Sequence, residues 1–242
     1  MKKENQMICQ CCGSEMNHFH SSMKKTFKCP NCGHVYWHWQ KDEEYVSNYY
    51  DNYRKSMPAN KQVTKEMRTP WCKNIVQFIK NCINLSNKKI LEIGAFDGLL
   101  SNVIDSTFTD CEIHVNEYDS WACKNYLENN FINVHQCNFL DIKNSEFDAL
   151  IAIDVLEHFE NIQTFHEKVI DLNIDYMIIQ VPDGRVRPVR ENPSGFDPHY
   201  HLFTIKSISK LFEKTHKLTH YMHTLHQFSA KGPELLCIFK RK

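Results

Sequence analysis

The run Lys89-Ile90-Leu91-Glu92-Ile93-Gly94-Ala95-Phe96-Asp97-Gly98-Leu99-Leu100 narrows the folds open to this chain more than any other segment. An apolar strand carries an acid near its end, breaks at a glycine turn and restarts as a helix. That layout belongs at the carboxyl edge of the first strand of an open α/β sheet, where backbone N–H groups and a carboxylate can meet a ligand. Strand and helix patterns then alternate. Strands are expected at Ile90–Ile93, Cys111–Asn116, Ile132–His135, Phe147–Ile153 and Tyr176–Val181. Helices are expected at Asp97–Thr107, Ser120–Glu128, Ile162–Leu172 and Thr204–Lys214. Such alternation predicts a mostly parallel sheet with helices on both faces. Lys217–His223 and Glu234–Phe239 follow each other with no helix between them and read as an antiparallel hairpin at the sheet edge.

A different kind of element precedes this core. Cys9-Gln10-Cys11-Cys12-Gly13 and Cys29-Pro30-Asn31-Cys32-Gly33 are two C-x-x-C-G turns, with 16 residues between Cys12 and Cys29. Each turn points two sulfurs to one side, and a facing pair makes a tetrahedral thiolate set of the type zinc prefers. The expected ligands are Cys9, Cys12, Cys29 and Cys32, with Cys11 a spectator. A ribbon this short cannot bury a core, so the metal takes the core's place. Four thiolates leave no open position, which makes the zinc structural. A scaffold or substrate lid ranks above a nucleic-acid platform, although Lys24, Lys25 and Lys28 with Phe27, Tyr36, Trp37 and Trp39 could form the latter.

Between the two units, Tyr45, Tyr49, Tyr50 and Tyr53 recur at near-helical spacing, either as a packing face or as a lid. Pro70 to Asn84 is expected to be a helix, capped by Thr69, with Ile75, Phe78, Ile79 and Ile83 facing inward. The resulting division is a zinc ribbon over 1–40, a helical linker or lid over 41–67 and the α/β domain over 68–242.

Charge limits the partners. Lys and Arg together number 29, as do Asp and Glu, so the net charge is zero and a bulk affinity for nucleic acid or anionic lipid is not expected. No apolar run spans a bilayer, and the first residues lack the apolar stretch of a signal peptide, so the expected location is cytoplasmic. The 11 cysteines then read as thiols or metal ligands.

Four stretches of the α/β part carry a more specific pattern. The first is Glu92-Ile93-Gly94-Ala95-Phe96-Asp97-Gly98. His114-Val115-Asn116-Glu117-Tyr118-Asp119 ends the second strand in an acid. Cys137-Asn138-Phe139-Leu140-Asp141 follows the third strand. The fourth stretch is Phe147-Asp148-Ala149-Leu150-Ile151-Ala152-Ile153-Asp154-Val155-Leu156-Glu157-His158-Phe159. In this order they resemble the class I S-adenosylmethionine-dependent methyltransferases, especially the small-molecule and sugar-type branch, over about Arg68 to the C-terminus. The resemblance implies a Rossmann-like, seven-stranded, mostly parallel sheet closed by a terminal antiparallel hairpin. It also implies S-adenosyl-L-methionine as cofactor, bound through Glu92, Gly94, Phe96 and Gly98. Phe96 replaces the middle glycine of that family motif and forces its ring away from the ligand. Glu117, with Tyr118 beside it, would take the ribose hydroxyls. Asn138 and Phe139 would meet the adenine, and Asp154 would complete the site.

Methyl transfer is an in-line displacement in which positioning does most of the work. A hydroxyl acceptor must also lose a proton, and histidine suits that. His158 is the first candidate for general base or acceptor-orienting group, with capping or packing as its ordinary role. His201 is the second candidate, with His199 behind it as a binder. Arg185 and Arg187, with Arg190, could hold an anionic acceptor or form a solvated loop. The leading expectation is O-methylation of a small-molecule or sugar-like acceptor, with C- and N-methylation open. A zinc-ribbon ribosomal RNA methyltransferase is second, disfavoured by Asp154-Val155-Leu156-Glu157 where base-amino enzymes of the family carry (N/D)-P-P-(Y/F). A non-catalytic zinc-ribbon binding protein is third, supported only by Phe96.

Overall fold

A computed structural model describes residues 7–19, 25–38, 65–143, 146–185, 199–225 and 233–242. The Tyr-rich segment, Arg187 and Arg190 lie outside them, and so does the proposed linker 41–67 except for its last three residues. Two sheets form. The smaller one consists of β1 (Asn17–Phe19), β2 (Lys25–Lys28) and β3 (Val35–His38), joined by the two-residue strand β9 (His201–Leu202). The larger one contains β4 (Lys89–Ile93), β5 (Glu112–Asn116), β6 (Asn133–His135), β7 (Ala149–Ile153), β8 (Tyr176–Pro182), β10 (His216–Leu225) and β11 (Pro233–Arg241).

The seven strands run in the order β10-β11-β8-β7-β4-β5-β6. β4 through β8 are mutually parallel, while β11 is antiparallel to β8 and β10 antiparallel to β11. The chain leaves β4 toward β5 and β6 on one side and resumes at β7 and β8 on the other. The crevice beside β4 is therefore the topological switch point, where open α/β sheets bind ligands. The expected terminal hairpin is present and lies at the sheet edge.

Alternating side chains fill the two faces. Ile90, Ala149, Ile151, Ile178, Leu236 and Ile238 pack under α1 (Lys65–Cys82) and α2 (Leu99–Asp105). Their neighbours Leu91, Leu150, Ala152, Met177, Ile179 and Cys237 pack under α4 (Ile162–Asp171) and α5 (Ile205–Phe212). Between them, α3 (Ser120–Ala122) runs into a π turn, Cys123–Leu127, that covers Val115.

Three local expectations are corrected. The first helix begins at Lys65, so Thr69 is not its cap; the Thr69 hydroxyl instead donates to the Lys65 carbonyl at 2.6 Å. Pro70 sits inside this helix and removes only the N–H that would reach Glu66, close to the exposed end. The expected Ser120–Glu128 helix is one α turn, capped by Asp119, that widens into the π turn. The segment around His201, expected to bring a candidate base to the acceptor, supplies β9 to the ribbon sheet: Val35 pairs with Leu202 and Tyr36 with His201.

That pairing docks the ribbon on the larger domain. The Trp37 N–H donates to the Tyr200 carbonyl at 2.8 Å, and the Thr204 hydroxyl to the Cys32 carbonyl at 2.7 Å. Gln10 accepts from the Ile162 N–H at 2.9 Å and donates to the Glu160 carbonyl at 3.1 Å. Among the described residues, no helix is long and apolar enough to cross a membrane.

Candidate functional site

The site is built on the turns that leave the carboxyl ends of the parallel strands. At the end of β4, Gly94 has φ +65°, and a Cβ there would fall 2.7 Å from Val155 Cγ2. Only glycine lets this turn pass the one that follows β7. Gly98 caps α2 at φ +66°, with room for no side chain: a Cβ would stand 2.3 Å from the Phe131 ring. Phe96 takes φ +49°, a left-handed conformation that costs a bulky residue about 1–2 kcal/mol. Its ring lies against Tyr126 at 5.5 Å and under the Arg68 guanidinium at 5.8 Å.

Glu117 holds that turn in place. Its Oε2 accepts from the Phe96 N–H at 3.0 Å and its Oε1 from the Asp119 N–H at 2.9 Å. One carboxylate thus ties the β4 and β5 turns together and offsets the strain at Phe96. Tyr118 beside it is 63% exposed and faces solvent. Glu92 sits deeper than its place in the motif suggests. It is buried, and the Ser101 hydroxyl of α2 donates to it. Burial pushes its carboxyl up to about 7, against the pull of the Ser101 bond.

The turn after β6 differs from expectation. The Asn138 side chain accepts from the Leu140 N–H at 3.0 Å and caps a single 3-10 turn. Phe139 is buried and packs on Phe165 at 5.3 Å, as part of the core. The reason is amphipathic: the 3-10 turn must bury one apolar side chain, and Leu140 is the one left outside.

At the end of β7, Asp154 turns the chain at φ +56°. Its N–H donates to the Gln180 carbonyl at 3.0 Å, and its carboxylate accepts from the Gln180 amide at 3.4 Å. The same amide also donates to buried Glu234. Leu156–His158 then forms a 3-10 turn. Glu157 is fully buried, with Oε1 3.7 Å from His199 Nε2, and the His158 and His199 rings meet edge-on at 4.8 Å. The Tyr200 N–H donates to the Glu157 carbonyl at 2.8 Å and fixes the two segments together. His158 and His199 are therefore brought to one place on the crevice side of β7.

His201 is not with them. Its Nε2 donates to the Phe159 carbonyl at 2.7 Å, and its Nδ1 is 2.9 Å from His34 Nε2. A carbonyl only accepts, so in the neutral ring Nδ1 takes the His34 N–H, and His34 Nδ1 faces Cys9 Sγ at 3.5 Å. Fully buried and stacked on His34 and Tyr36, His201 is a docking residue of the ribbon. Arg185 is also committed within the chain. It forks onto buried Asp183 at 3.0 and 3.2 Å and meets His223 at 2.9 Å. The hydrogen bond to Asp183 raises its pKa further.

The sequence reading missed Arg68, which pairs with Asp97 across the β4 turn. It also passed over Glu157, although that residue stands inside the quoted fourth stretch. Arg68 had no local signal, because the contact spans 29 positions.

In the ribbon, the Cys9 and Cys32 sulfurs are 3.6 Å apart and those of Cys12 and Cys29 3.5 Å. A tetrahedral ion with metal–sulfur bonds of about 2.3 Å separates its sulfurs by roughly 3.8 Å, so this set fits zinc. Hydrogen bonds from Cys11 and Cys32 pull the Cys9 pKa far below its usual value, and burial pushes that of Cys11 up.

No protein-family model matches the chain, and no curated protein matches it by sequence. Solved structures do match. The 1,6-didemethyltoxoflavin-N1-methyltransferase of Burkholderia thailandensis was solved with 1,6-didemethyltoxoflavin and S-adenosylhomocysteine. It is 13% identical over 93% of this chain and 98% of its own, with a TM-score of 0.61. The magnesium protoporphyrin IX methyltransferase of Synechocystis PCC 6803, solved with bound S-adenosylmethionine, is 12% identical over 84% of this chain and 99% of its own, also at 0.61. The small RNA methyltransferase HEN1 is 14% identical over 70% of this chain but only 25% of its own, at 0.52. The fold is that of the class I methyltransferases. The seven-stranded, mostly parallel sheet and its terminal antiparallel hairpin are as the sequence predicts.

Proposed function

We propose that this chain is an S-adenosylmethionine-dependent methyltransferase acting on a hydroxyl of a small-molecule or sugar-like acceptor, with a zinc-stapled N-terminal ribbon. The observation that carries the reading is Glu117. A carboxylate at the end of β5, already oriented by two backbone N–H groups, keeps further lone pairs for a pair of ribose hydroxyls. The Gly94–Gly98 turn beside it brings bare backbone to the crevice, so the residues fit the nucleoside and the amino-acid end of the donor. The bound donor supplies an electrophilic methyl on a sulfonium. Asp154 and Glu117 add negative charge to the edge that would face that cation. His158 and His199 stand on the acceptor side and orient the hydroxyl, and the ribbon docks on the segment beside them through the Trp37 N–H and Tyr200 carbonyl.

An RNA acceptor is the second reading, since one structural neighbour is an RNA methyltransferase. Burial weakens it: Tyr36 and Trp37, two of the aromatics that could have stacked on bases, are taken up in the ribbon's own packing. Trp39 lies outside the described residues. Incubation of the zinc-loaded chain with methyl-labelled donor and cell extract separates the readings. Label in nuclease-resistant small metabolites supports the proposal. Label confined to nuclease-sensitive material overturns the acceptor class, and no transfer to any fraction overturns the reaction.

A further inference from the structure

Glu157, His158 and His199 present one carboxylate oxygen and two imidazole nitrogens that all lie within 4.8 Å of one another. We propose that these three residues bind a divalent first-row cation such as manganese, and that the cation takes the acceptor through two adjacent oxygens. The purpose of this site rests on the methyltransferase reading; the binding of the ion does not.

Three features support it. A metal bound at about 2.1 Å by adjacent ligands needs donors roughly 3.0–3.5 Å apart, and Glu157 Oε1 and His199 Nε2 are already at 3.7 Å. The site is largely dry, with Glu157 fully buried and His199 buried, which strengthens binding of any cation that enters. The ligands are also held from behind. Glu157 and His158 are consecutive in the 3-10 turn, the Tyr200 N–H is bonded to the Glu157 carbonyl, and His201 grips the Phe159 carbonyl. Through Trp37 and His34 the ribbon braces both segments, a supporting shell of the kind metal ligands require.

The donor set selects the ion. Two imidazoles with one carboxylate suit manganese, iron, cobalt or zinc, and disfavour calcium and magnesium, which seek oxygen cages. Three protein ligands leave coordination positions open for the acceptor. An acceptor with two neighbouring oxygens, such as a catechol or a vicinal diol, fills two of them. Coordination lowers the pKa of one hydroxyl, whose proton leaves to water. That oxygen forms a C–O bond to the methyl while the C–S bond breaks and its electron pair returns to sulfur. The products are a methyl ether, S-adenosylhomocysteine and one proton.

The test uses the full chain with its ribbon saturated by zinc, titrated with manganese and followed by loss of the free-ion electron paramagnetic resonance signal. Expected is saturable binding of one ion per chain, weakened more than about tenfold in Glu157→Gln and in His199→Gln, with ribbon zinc and thermal unfolding unchanged. His158→Gln serves if either variant fails to fold. Bound manganese should broaden the proton resonances of catechol and leave those of phenol sharp. No saturable binding below millimolar manganese, or equal affinity in the variants, overturns the site; equal broadening of the two probes overturns the chelation. Calorimetry with S-adenosylmethionine on the same sample keeps the two claims apart, since manganese binding without donor binding condemns only the methyltransferase reading.

Discussion

Replacing Glu117 by alanine tests whether one carboxylate both organises the crevice and binds the donor. The side chain accepts two backbone hydrogen bonds, from Phe96 at 3.0 Å and Asp119 at 2.9 Å. A hydrogen bond to a charged group contributes about 1.5–3 kcal/mol. Both N–H groups lie in edge turns that water can reach once the side chain is gone, so the lower end applies and the pair accounts for about 3 kcal/mol. Loss of the Phe96 bond also removes what holds that residue left-handed, and the turn relaxes. In a chain of this size, about 3 kcal/mol lowers the melting temperature by roughly 6–12 °C. Donor affinity should fall by about 1–3 kcal/mol, on the order of tenfold to a hundredfold, from the lost ribose bonds and the disordered turn. Glu117→Gln keeps one acceptor oxygen and should lose about half the stability. Urea unfolding and calorimetry with S-adenosylmethionine read the two quantities separately. A stability loss under about 0.5 kcal/mol refutes the anchoring role. A full stability loss with unchanged donor affinity refutes the ribose role.

Four further outcomes are expected. Gly98→Ala should destabilise by about 1–3 kcal/mol in thermal melts, because the position is left-handed and its Cβ would overlap the Phe131 ring. Glu92 is raised from 4.5 to about 7 in the folded chain, so between those values the folded state holds a proton that the unfolded state releases. Its contribution is complete at pH 4.5, falls by about 3 kcal/mol as pH rises to 7, and should be absent from Glu92→Gln in paired urea titrations. Chelation should release one zinc per chain by native mass spectrometry and raise amide exchange in β1–β3 and β9 together; exchange confined to β1–β3 would contradict the shared sheet. His201→Ala should loosen the same strands without changing donor affinity, and a parallel loss of donor affinity would return His201 to the active crevice.

The sheet was readable because its strands obey a local rule. Ile90 to Ile93 and Phe147 to Ile153 are apolar runs ended by an acid or a turn, and the helices between them carry one apolar face. The cysteine turns were readable for the same reason, since C-x-x-C-G encodes its geometry within five residues. What escaped depends on contacts far apart in sequence. Nothing around His201 indicates that it will pair with Tyr36, 165 positions earlier, and β9 is too short to carry a period. Phe139 looked available to a ligand because an aromatic after a strand is ambiguous; only the nearby Phe165 decides that it turns inward. Glu157 was hidden in plain view: its burial, and its approach to His199 across 42 residues, exist only in three dimensions.

The most direct test of the central claim is a crystal structure of the zinc-loaded chain with S-adenosylhomocysteine. The account predicts the nucleoside in the crevice beside β4, with its ribose hydroxyls on the Glu117 carboxylate and its amino-acid end over the Gly94–Gly98 turn. A ligand bound elsewhere, or an empty crevice at saturating nucleoside, would contradict it.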